Sequence, residues 1–83
     1  MTNYTIRYDY TKTESDYFGG THKEQRTAWH SVDADTAREA VSKAQAGLST
    51  WRDEVVVNEV KNNDTGRVEA TTKAFSTTLV YSN

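Results

Sequence analysis

The chain has 83 residues with neither cysteine nor proline, and its twelve acidic and ten basic side chains leave a formal charge of −2. A chain this short makes one small domain, here residues 1–83, that removes only about 60% of its surface from water on folding. Without cysteine there is no disulfide framework and no thiolate metal site, and the scattered, nearly balanced charge lacks the basic excess of a protein held to phosphates.

Residues 1–10 carry neither the basic start nor the apolar run of a secretion signal, and no stretch approaches the roughly 20 apolar residues that cross a bilayer. The expectation is a soluble, cytoplasmic protein with no membrane partner.

Residues 4–11 alternate, with Tyr4, Ile6, Tyr8 and Tyr10 on one side and Thr5, Arg7, Asp9 and Thr11 on the other. That is the period of a strand buried on one face. The polar segment Lys12 to Glu24, with Gly19-Gly20 inside it, has no apolar period and reads as a long hairpin loop. Tyr17 and Phe18 sit at its tip with no core to enter. Residues 25–32 read as a second strand, and because Val32 and Ala34 lead into the helix and point to the core, alternation puts Trp29 on the opposite face, beside Arg7 and Asp9.

Thr36 followed by Glu39 is a capping box, in which a hydroxyl and a carboxylate each satisfy a backbone N–H of the first helical turn. Ala37, Ala40, Val41, Ala44 and Leu48 recur on one helical face. The spacing predicts a helix over about 36–46, closed by Gly47 in the left-handed conformation. Residues 54–61 are rich in valine and read as a strand buried on both faces, with Val56 and Val60 opposed to Val55 and Val57. The run from Asn62 to Gly66 is turn chemistry, and a returning strand begins at Arg67. Its alternation slips between Ala70 and Phe75, which calls for a bulge or short break near residues 71–74. The fold class is α+β: an antiparallel sheet of four to five strands in ββαββ order, with one helix packed on one face.

No arrangement points to catalysis. His22 and His30 are the two imidazoles, read as lying on different elements, whereas a zinc site needs three or four converging ligands. No serine lies in a nucleophile elbow, and Gly19-Gly20 lacks the flanking pattern of a phosphate loop. No catalytic residue, metal ligand or cofactor is expected. Two surfaces remain as candidates for binding. Asp33, Asp35 and Glu39 gather at the helix start, where the helix dipole already accounts for them, and Asp53 and Glu54 lie near its other end. Trp29, Trp51, Tyr17 and Phe18 exceed what an alanine-rich helix can cover, and exposed aromatics anchor protein interfaces or stack on unpaired bases.

In size, mild acidity, lack of motifs and strand-strand-helix-strand-strand layout, the chain resembles small accessory proteins of bacteriophages, in particular some anti-CRISPR proteins. The resemblance implies a stoichiometric inhibitor that covers a surface of a Cas effector complex and so blocks DNA binding. Its acidic and aromatic surface would do the blocking, by occlusion rather than DNA mimicry, since −2 is a weak charge for a mimic. A protein partner is therefore expected ahead of a nucleic acid. The rival readings are a single-strand binder using Trp29, Arg7 and Arg26 on an open sheet face, and a small structural or dimerisation domain.

Overall fold

Strand alternation runs well past the segment where apolar residues mark it. In the computed structural model, which describes residues 1–82, β1 spans Thr2–Ser15 and β2 spans Thr21–Ala34. They pair without interruption from Thr2 opposite Ala34 to Ser15 opposite Thr21. The expected loop over Lys12 to Glu24 is therefore mostly ladder, and only residues 16–20 turn the chain. The pattern gave no sign of this because both faces of that part of the ribbon meet water. His22 and His30 accordingly lie on one element, β2, and not on two.

The helix α1 spans Ala37–Leu48. Its capping box forms with a shift of one residue: the Glu39 N–H donates to Thr36 Oγ1 at 3.1 Å, and the Glu39 carboxylate accepts from the Asp35 N–H at 3.3 Å. Gly47 does not end the helix. It lies inside, and the right-handed Ser49 caps the end, its N–H donating to Gln45 O at 2.9 Å. The last turn tightens instead of reversing, so no left-handed residue is needed.

After the helix come β3, Asp53–Asn62, β4, Val68–Thr72, and β5, Leu79–Tyr81. The five strands form one antiparallel sheet in the order β2-β1-β3-β4-β5. The slip in the last segment is the short break and not the bulge, and the break is a full reversal of the chain. Residues 73–78 turn the chain, with Phe75 at φ 62°, and β5 runs back along β4. Phe75 lies in that turn fully exposed.

Even-numbered residues of β1 face the helix. Tyr4, Ile6 and Tyr8 pack with Ala34, Ala37, Ala40, Val41, Ala44, Leu48, Val57, Val60 and Ala70 in one core. Alanines at 37, 40 and 44 let the helix approach, and the tyrosine rings fill the space they leave. Val57 and Val60 share that face although their parity differs. Arg7 is opposite Glu59 while Tyr8 is opposite Val57, so Asn58 is a bulge that resets the alternation. The reading of β3 as buried on both faces is corrected accordingly: α1 covers one face, and Val56 faces away from it, half-exposed.

Replacing Thr36 by alanine removes the cap and should lower stability by about 1 kcal/mol in denaturant unfolding, with the fold kept. The Glu39 carboxyl is held below its ordinary range, first by a hydrogen bond from Lys43 and then by the Asp35 N–H. A depressed folded-state value stabilises the helix start above the ordinary carboxylate range, and that contribution is lost as pH falls through it. Acid titration followed by circular dichroism should show this loss in the native chain and a smaller one in Glu39→Gln.

Candidate protein-binding surface

The face of the sheet away from α1 is built from the odd residues of β1 and β2 and their partners on β3. Trp29 stands on it directly opposite Arg7, which in turn lies opposite Glu59. The indole is 65% exposed, so the sequence expectation for its face holds. Arg7 is half-buried, and its Nε donates to Asn58 Oδ1 at 2.6 Å. The bulge at Asn58 thus supplies the acceptor that fixes this guanidinium beside the indole. Asp9 completes the patch, with Thr27 Oγ1 donating to its carboxylate at 2.6 Å. Arg26, grouped with Trp29 in the single-strand reading, is on the other face, because even residues of β2 face the helix side; its Nη2 lies 2.6 Å from Glu24 Oε2.

Beyond the Thr11–Asp53 pair β3 no longer accompanies β1, and the β1–β2 ribbon continues alone. It ends in a built turn. Asp16 Oδ1 accepts from the N–H groups of Phe18 and Gly20 at 2.9 and 2.8 Å, and the Asp16 N–H donates to Gly20 O at 2.8 Å. Gly19 takes φ 83°, and a Cβ on Gly20 would lie 2.7 Å from Asp16 Oδ2. Both glycines suit the geometry, Gly19 by its left-handed dihedral and Gly20 because a Cβ there would push the Asp16 side chain off its hydrogen bonds. Held outward by this turn, Tyr17 and Phe18 are 96% and 93% exposed and meet edge to face, ring centres 5.6 Å apart.

The acids do not form one surface. The Asp33 carboxylate accepts from Asn3 Nδ2 at 3.0 Å, and Glu39 is occupied by the cap and by Lys43 at 3.2 Å. Asp35 lines an open cleft of about 370 Å³ with Tyr4, Arg38, Glu69 and Tyr81. Asp53 and Glu54 lie a helix length away, roughly 18 Å for twelve residues. Glu54, at φ 52°, accepts from Thr11 Oγ1 at 2.7 Å. Of the acids foreseen as one surface, Asp33, Glu39 and Glu54 are thus each taken up by a separate partner, while Asp35 opens into the cleft.

Trp51, also exposed, is on neither of these patches. Arg52 lies over the rings of Tyr10 and Trp51, at 4.3 and 5.0 Å, where the lone ribbon leaves the domain. Glu14, His22 and Glu24 on the ribbon converge with ligand atoms within 4.8 Å of one another, a cluster invisible to a search for sequence motifs because its members meet only across the β1–β2 ladder. Lys12 already lies 3.1 Å from Glu14, and Arg26 holds Glu24, so cations of the protein occupy both carboxylates.

No protein family, curated protein or solved structure matches the chain. Among the described residues, no helix is long and apolar enough to cross a membrane.

Gly20→Ala should displace the Asp16 side chain and loosen the turn. Amide exchange at Phe18 and Gly20 should quicken while the core amides of β1 keep their protection. Because Lys12 and Arg26 neutralise the carboxylates near His22, added zinc should leave the melting curve unchanged, and a rise in melting temperature would contradict that account.

Proposed function

We propose that the protein is a non-enzymatic binding module that presents the β1–β2 ribbon to a protein partner. Trp29 with Arg7 and Asp9 forms the contact on the sheet face, and Tyr17 and Phe18 form a second contact at the tip. The observation that carries this reading is the preorganised turn: the Asp16 hydrogen bonds and the Gly19-Gly20 backbone present two bare aromatic rings to water. Fixing the backbone that carries such side chains before contact reduces the ordering cost of association. Tryptophan and tyrosine are the side chains that most often dominate interface energies.

Charge on the helix-free face favours a protein over a nucleic acid. Arg7, Lys23 and Lys61 are interspersed with Asp9, Asp33 and Glu59 across the paired strands. A phosphate backbone would meet as much repulsion as attraction there. An inhibitor that occludes a subunit of a Cas effector complex falls within this reading, and such a complex is the partner to try first.

Trp29→Ala should weaken partner binding by about 2 kcal/mol or more, roughly 30-fold, with little change in melting temperature, since the indole lies outside the core. The pair Tyr17→Ala and Phe18→Ala should do likewise. Unchanged affinity in both variants would overturn the assignment. Anisotropy with a labelled single-stranded oligonucleotide at roughly 50 and 200 mM salt should show no salt-sensitive binding.

A further inference from the structure

The outer edge of the sheet at β2 is fourteen residues long, pairs with β1 without a bulge and contains no proline. Natural sheets protect such edges by shortness, proline, bulges or charge, and the opposite edge, β5, is three residues long. The direction of the free groups on β2 follows from the ladder. Asn3 O accepts from the Asn63 N–H on the β3 side, so odd residues of β1 turn their backbone groups toward β3 and even ones toward β2. Even residues of β1 face even residues of β2. The odd residues of β2, from Lys23 to Asp33, therefore point N–H and C=O groups outward. A side-chain contact agrees: Lys43 Nζ donates to Asp33 O at 3.0 Å.

We propose that β2 pairs antiparallel with β2 of a second copy of this chain, across a two-fold axis through Ala28, joining the two sheets into one of ten strands. This does not depend on the partner-binding reading. Charge selects the occupant. The stretch Thr27–Val32 carries no acid, lysine or arginine; Arg26 and Asp33 bound it, and because Arg26 is already paired with Glu24, the cation and acid left to be matched are Lys23 and Asp33. Ala28 is their midpoint, so antiparallel pairing about it places Lys23 opposite Asp33 of the second copy, twice. On the same face Trp29 meets Thr27 of the second copy, an aromatic and β-branched pair. On the other face Ala28 meets itself. That pair lacks mutual hydrogen bonds and so brings side chains closest, which a methyl group tolerates. Arg26 comes opposite His30 of the second copy, and its charge remains with Glu24. With the two Asp33 carbonyls already held by Lys43, the odd residues supply about ten ladder hydrogen bonds.

Sedimentation velocity on the full chain, from micromolar to submillimolar concentration, should show a reversible species of twice the 9.4 kDa chain mass. Ser31→Pro removes an N–H that points outward, so it should give a folded monomer. Lys23→Glu, at an exposed site, should weaken association at least tenfold, and adding Asp33→Lys should restore it. The chain has no cysteine, so Ala28→Cys introduces a single thiol. A non-hydrogen-bonded pair sets Cα atoms about 4.5 Å apart, within disulfide range, and mild oxidation should give a covalent dimer, whereas Ser31→Cys should not. A chain that stays monomeric throughout, or a dimer indifferent to Lys23→Glu and not captured by Ala28→Cys, would overturn the proposal. Should Ser31→Pro fail to fold, the charge-reversal and thiol variants decide alone.

Discussion

Helix α1 is about 18 Å long, while a fourteen-residue strand extends close to 48 Å, and this mismatch governs the rest of the molecule. The longest dimension of the protein is 49 Å, the length of β1 itself. One helix can bury only the stretch of β1 from Tyr4 to Tyr8. There the alanine stripe and the tyrosine rings complement one another, and the core contains no buried charge among the described residues. Everything beyond is held by backbone pairing and by local polar contacts. The half-buried Tyr10 marks the transition, where Arg52 covers its ring in place of the helix.

That division separates stability from recognition. The side chains that hold the fold together gather under α1, and the large exposed rings stand outside it, on the sheet face, at the ribbon tip and in the turn before β5. A lone two-stranded ribbon is marginal in water. Its tip therefore relies on the Asp16 turn, and its flank on cross-strand polar contacts such as those of Glu14 with His22 and Arg26. Such exposed pairs contribute little individually and weaken with salt, so they set the ribbon's shape more than its stability.

The parts of the fold that were legible in the sequence are those where one face is dry. Tyr4, Ile6 and Tyr8 declare β1, the Thr36 and Glu39 spacing declares the helix start, and parity from Val32 places Trp29 on the helix-free face. Where both faces are wet, alternation carries no signal, which is why the ladder through Lys12 to Ser15 and Thr21 to Glu24 passes for a loop. Parity also fails across an inserted residue. Nothing in the composition of Val55 to Val60 reveals the bulge at Asn58, yet it puts Val57 and Val60 on one face and gives Arg7 its acceptor. Among the candidate residues, the exposure of the aromatics was legible because they exceed what the helix can cover. The partners of the acids were not legible, because closeness in sequence to a helix end does not say which hydrogen bonds will occupy each carboxylate.

The bulge-reset pairing of β1 with β3 has a kinetic side. Ribbon contacts join residues as close as Ser15 and Thr21, so they zip from the turn with little loss of chain entropy. Tyr4 and Asn62, by contrast, stand 58 positions apart, and their meeting must close a loop containing the ribbon and the helix. The core cannot assemble until that closure occurs, since Val57 and Val60 arrive with it. Sequence separation and burial therefore run in the same direction: the most exposed part of the molecule rests on the nearest contacts, and the driest part on the most distant ones, whose closure costs the most chain entropy.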